Sequence, residues 1–166
     1  MPPAHEPASG RTLLALVVGQ VGMHSAMAGL RLAAPLQALR EGFSAGAVGL
    51  LLALFAAAPV VLALHAGRMA DRHGYHHPVR ISVWLCIAGA LCAVGATFVT
   101  GPLHVALLCA AAMLSGAGAN MGMLAIQRTA GLTARDATDR VRIFSWLGMA
   151  PSLSNVVGPV SAGLLI

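Results

Sequence analysis

The chain has 166 residues, 58% of them hydrophobic and 9% charged, with a mean hydropathy of +0.81. A soluble domain of this size carries roughly 25% charged residues, so this chain has too little polar surface to face water, and a lipid bilayer has to take its place. The net charge of +5 comes from ten arginines without a lysine. They stand between apolar runs with few aromatics nearby, which fits membrane topology and not a nucleic-acid surface.

Residues 1–11 read as a polar tail. Five apolar runs follow, at about 12–34, 45–66, 81–100, 103–126 and 143–166. Each matches the ~20 residues that a helix needs to cross a ~30 Å hydrocarbon core. A lone strand would leave its backbone groups unpaired in lipid, so all five are expected to be helices. The first run also looks like a cleavable leader, with Arg11, an apolar stretch and Ala26-Met27-Ala28. Apolar character continues past that site, and Gln20 and His24 are foreign to a leader core, so a span is preferred. Residues 35–44 connect the first two runs. Gly101-Pro102 alone connects the third and fourth, which makes those two antiparallel neighbours.

Eight arginines (Arg11, Arg68, Arg72, Arg80, Arg128, Arg135, Arg140 and Arg142) fall on one side of the alternating spans, and Arg40 and Arg31 fall toward the other. The positive-inside rule then sets the N-terminus in the cytoplasm. An integral protein of a bacterial inner membrane is expected, and the arginine- and alanine-rich composition agrees with a GC-rich genome.

Polar residues inside the spans are few. Gln20, His24 and Arg31 fall within about 40° of one helical face at 100° per residue. Arginine at a bilayer centre costs about 2.5–3.5 kcal/mol, so this face is expected toward a protein cavity. His24, near mid-span, suits a substrate or proton role as well as it suits a bond between helices. Arg31, near the outer end, is also placed to snorkel. Asn120 and Asn155 are candidates for contact with substrate or with a neighbouring helix. Cys86, Cys92 and Cys109 all sit in apolar runs without a C-x-x-C pair, as spare thiols do. No catalytic constellation, metal cluster or cofactor motif is found. The glycines of "GAGANMG" at 116–122 follow no strand, so they do not make a nucleotide fingerprint. The histidines His73, His76 and His77 lack a cysteine or second acid beside them and read as solvated rather than as metal ligands.

Between the second and third runs stands "GRMADRHGYHHPVR". It resembles the loop motif G-x-L-A-D-R-x-G-R-K-x-x-L of the major facilitator superfamily. Gly67, Ala70, Asp71, Arg72 and Gly74 match in register, Met69 and Val79 replace leucines, and Tyr75 and His76 replace the basic pair. The resemblance implies an all-α membrane fold, with these spans forming five helices of a six-helix N-terminal half. It also implies a latch at the loop, with Gly67, Asp71, Arg72 and Gly74 stabilising one of two alternating states. Arg128 is the candidate partner of Asp71. The plainer alternative for Asp71 is a cap on a solvated turn.

The fifth run carries a second resemblance. Some proton-driven exporters of the superfamily have G-x8-G-x3-G-P-x2-G-G in their fifth helix. Here the motif reads Ser145, Ser154, Gly158, Pro159, Ala162 and Gly163. Three glycines are replaced, each by a small residue, so a face for close packing survives. The proline removes a backbone hydrogen bond and bends the helix. The resemblance implies an exporter, of the efflux or antiporter kind, for small organic molecules. Proton coupling stays open. The arginine that many coupled members carry four residues before a fourth-helix glycine is Ala112 here, and no acid lies inside a span. His24 or the other half would have to carry the proton.

The chain matches five helices of a two-half architecture, so the expected partners are lipid, a small-molecule substrate and the missing C-terminal half. A different class is a scaffold or truncated remnant that packs against another membrane protein without transporting. A membrane enzyme is not supported. The substrate is beyond the sequence, because both halves would line its site.

Overall fold

The computed structural model describes the backbone of residues 10–73, 76–134 and 136–165, and side chains at 14–62, 76–132, 134 and 136–164. It has five helices: α1 (Gly10–Arg40), α2 (Ala45–His73), α3 (His76–Ala96), α4 (Pro102–Thr133) and α5 (Ala137–Leu165). No strand occurs among the described residues. Short connections make the helices alternate in direction. One end of the bundle, called the inner end below as a label only, holds the start of α1, the ends of α2 and α4 and the starts of α3 and α5; the opposite, outer end holds the α1–α2 and α3–α4 connections and the end of α5.

Three helices are long and apolar enough by themselves to cross a membrane, at Ala45–Leu62, His76–Ala96 and Pro102–Leu132. α1 and α5, at 31 and 29 residues, have the length but carry more polar side chains. Each is the other's main packing partner. Gln20 and His24 of α1 and Ser154 of α5 are turned inward, where protein rather than lipid receives them, while Ser145, Ser152, Asn155 and Ser161 of α5 are exposed.

Four of the five helices outrun the apolar stretches that announce them. Apolarity reports the lipid layer, whereas a helix ends where its backbone is capped. α1 passes through buried Pro35 and stops at Arg40, so the expected 35–44 connection shrinks to 41–44. Its end is a Schellman turn. Gly42 has φ +84°, its N–H donates to Leu39 O, and Phe43 N–H donates to Ala38 O, both at 3.0 Å. Ser44 then caps α2, its Oγ accepting from Ala47 N–H at 3.2 Å. Most of the 127–142 interval is helical too, and Asp136 Oδ1 caps α5 through Asp139 N–H at 2.7 Å. α3 is the exception, stopping at Ala96 and not at 100. β-Branched Thr97, Val99 and Thr100 follow, then Gly101 at φ 70° and Pro102 opening α4.

α4 is the hub of one side, packing on α3 and α2, while α1 packs chiefly on α5. Small residues allow this. A methyl group on Gly116 would run into the Phe55 carbonyl of α2. One on Gly118 would stand 2.7 Å from Ser82 O and 2.8 Å from Cys86 Sγ of α3, and one on Gly122 would stand 2.6 Å from Met23 Cε of α1. The "GAGANMG" glycines therefore serve close helix approach. Larger side chains fill the two ends. Val48, Leu51, Phe55 and Leu108 cluster toward the outer end, and Leu16, Ile126, Ile143 and Leu147 toward the inner end.

Candidate functional site

The fifth-helix residues divide by their register on α5. Ser154, Gly158 and Ala162 recur every four residues and face α1. Ser154 is buried, and its Oγ donates both to Ala150 O in its own helix, at 2.7 Å, and to Val21 O of α1, at 3.1 Å. One turn on, Gly158 is the point where the helices cross. A methyl group there would stand 2.5 Å from Ser25 O, 2.7 Å from Gly29 N and 2.9 Å from Ala28 Cβ. A methyl group on Gly29 would meet Gly158 O at 3.0 Å and Ala162 Cβ at 3.7 Å. Pro159 is half-buried beside the crossing. Ser145 and Gly163 lie elsewhere. Ser145 is exposed and donates to Val141 O at 2.8 Å, and Gly163 is exposed with nothing near its Cβ direction.

The in-span polar residues also divide. Gln20 is wholly buried and His24 is 7% exposed. Neither amide atom of Gln20, nor His24 Nδ1, has a hydrogen-bond partner among the described residues. Ser25 Oγ, which sequence reasoning did not single out, is in the same condition. These are three neighbouring side chains of α1 with unmet polar atoms. Each such group costs about 1–3 kcal/mol when nothing binds it, and buried groups of this kind call for water, ligand or a functional reason. Arg31 does not join them. It shares their helical angle but lies beyond the Gly29–Gly158 crossing and is exposed. Asn120 is half-buried and spends its amide on its own helix, donating to Gly116 O at 3.0 Å. Asn155 is exposed on α5.

For the latch residues, α2 continues as helix through Gly67, Asp71 and Arg72 to His73, so these three stand in the helix and not in the expected loop. The side chains of Gly67, Asp71 and Arg72 lie outside the described residues, and so does Gly74 altogether. Arg128 is half-buried within the last turns of α4. The three cysteines are free and half-buried. Among the described residues no group of histidine, cysteine and acidic side chains is arranged to hold a metal ion.

One cluster had no sequence signal. Glu41 and His104 are 63 positions apart and meet at the outer end of the bundle, with Oε2 and Nε2 2.8 Å apart.

Among curated proteins and among solved structures, nothing matches the chain. A family model described as Major Facilitator Superfamily matches residues 16–166, nearly the whole of the helical bundle. With its bundle of membrane helices, short connections and a glycine crossing between α1 and α5, the chain belongs to the Major Facilitator Superfamily of membrane transporters.

Proposed function

We propose that the chain is part of a secondary transporter that exports small organic molecules by alternating access. Its N-terminus would be cytoplasmic, in a bacterial inner membrane. The observation that carries the export reading is the α1–α5 crossing. Gly158, followed by Pro159 and flanked by Ser154 and Ala162, brings α5 into backbone contact with α1 at Gly29. This small-residue, proline-containing fifth helix resembles the one carried by exporters of this superfamily. A second helical half, rocking against this one, would complete the pathway. Gln20, His24 and Ser25 would supply polar groups beside it, and exposed Arg31 and Asn155 would face the partner half or the substrate.

The test is uptake into everted membrane vesicles from cells that express the native coding sequence. Fluorescent organic cations and neutral dyes serve as probes. Export predicts energised accumulation inside everted vesicles, lost in Gly158→Leu at unchanged membrane level. Asp71→Asn should lower transport while leaving insertion intact, and unchanged transport there would remove the latch role. Failure of every probe to accumulate, with a defined membrane protein co-purifying in fixed ratio, would favour a scaffold instead.

A further inference from the structure

Outside the in-span residues, the best-built polar cluster lies at the outer end and joins two connections. His104 is the third residue of α4 and is 3% exposed. Its Nδ1 stands 2.8 Å from Ala96 O, the last residue of α3. Its Nε2 stands 2.8 Å from Glu41 Oε2, in the α1–α2 turn. The other carboxylate oxygen of Glu41 accepts from Gln37 Nε2 at 3.1 Å. The Phe43 ring stacks on the imidazole, centroids 6.2 Å apart and planes 16° from parallel.

The proton count follows from the acceptors. A carbonyl oxygen only accepts, so Nδ1 carries a hydrogen. A bare Nε2 would then stand 2.8 Å from a carboxylate oxygen with no proton between two electron-rich atoms, which is repulsive. A further proton belongs to the pair, on Nε2 or on Glu41. The Nε2–Oε2 contact is not an aligned hydrogen bond, so charge rather than geometry holds it. We propose that Glu41 and His104 form a proton-binding site that fastens the α1–α2 turn to the α3–α4 turn, and that loss of its proton releases them.

The surroundings isolate the pair. By chain position Glu6, Asp71, Asp136 and Asp139 belong to the inner end, so Glu41 is the sole acid at the outer end. His104 is the sole histidine there. On α1, Arg40 is exposed beside Glu41. On α3 and α4 the half-buried thiols of Cys92 and Cys109 lie one to two turns further in. The first turns of α2 and the outer half of α5 bring no titratable group. The site's use in transport rests on the exporter reading above; its release by deprotonation does not.

The experiment uses the full chain in lipid nanodiscs, with its three cysteines replaced and spin labels at Leu39→Cys and Phe98→Cys, both exposed positions. Electron–electron distances are recorded at about pH 5.5 and about pH 9, on either side of the ordinary histidine value. The proposal expects one narrow distance at the lower pH and a longer, broader one at the higher. Glu41→Gln and His104→Gln should each abolish the difference. An identical distribution at both pH values in the parent overturns the proposal, and needs no variant to fold. So does a Glu41→Gln chain that responds as the parent does. Both results read the clip alone, whatever the vesicle assay returns.

Discussion

The α1–α5 crossing gives a sharp expectation, because the atoms that Gly158 admits are backbone atoms that cannot swing aside. In Gly158→Ala the new methyl would stand 2.5 Å from Ser25 O and 2.7 Å from Gly29 N. An ordinary C···O contact is about 3.3–3.6 Å, so the helices have to part by about 1 Å. A gap of 0.5–1 Å forfeits about a quarter to a half of each nearby contact, and overpacking of this kind costs about 1–3 kcal/mol. Ser154, one turn away, would stretch its 3.1 Å bond to Val21 O, which costs about 0.6 kcal/mol. Alanine's better helix propensity returns about 0.5–1 kcal/mol, leaving a net loss of about 1–3 kcal/mol. Gly148 is the internal control, since nothing lies within 4 Å of its Cβ direction. Gly148→Ala should gain about 0.5–1 kcal/mol. Unfolding of both variants in mild detergent, followed by circular dichroism against added dodecyl sulfate, reads the difference. Equal stability of Gly158→Ala and the parent, or equal loss in the two variants, would refute the backbone-contact argument.

Three further outcomes follow from the same geometry. Gln20→Met removes two unmet polar atoms at nearly constant volume, so the chain should gain about 1–3 kcal/mol in the same unfolding assay; vesicle transport should fall if those atoms serve substrate. Gly42→Ala puts a side chain at φ +84° and should cost about 1–2 kcal/mol, with Gly42→Asn less harmful, as measured by unfolding. Ser154→Ala should cost only about 0.6 kcal/mol, and a loss above about 2 kcal/mol would mean that Ser154 does more than bridge to Val21.

The apolar runs made five helices legible, since lipid leaves the backbone no other option. The helix ends were harder. Gly42, Ser44 and Asp136 are ordinary capping residues in plain view, but an apolarity reading stops at the edge of the lipid and misses them. The shared angle of Gln20, His24 and Arg31 is a true property of α1. Angle alone does not say how deep each position lies: Gln20 and His24 are buried and Arg31 is exposed. Ser154 and Gly158 were found by resemblance, whereas their use, against Val21 and Gly29, needed the α1–α5 contact. Glu41 and His104 were illegible for a simpler reason. Each stands in a different connection, and only the meeting of two helix ends brings them together.

The pairing of α1 with α5 also has a consequence for biosynthesis. α1 is complete at Arg40 and its main partner only at Leu165, roughly 125 residues later. At about 5–20 residues per second, α1 waits roughly 6–25 s after it emerges. During that interval Val21, Ser25 and Gly29 lack Ser154 and Gly158, which they meet in the finished bundle. α2, α3 and α4 form a set that can assemble while α1 waits, because α4 carries its own contacts to both neighbours. The first helix made thus meets its main packing partner last.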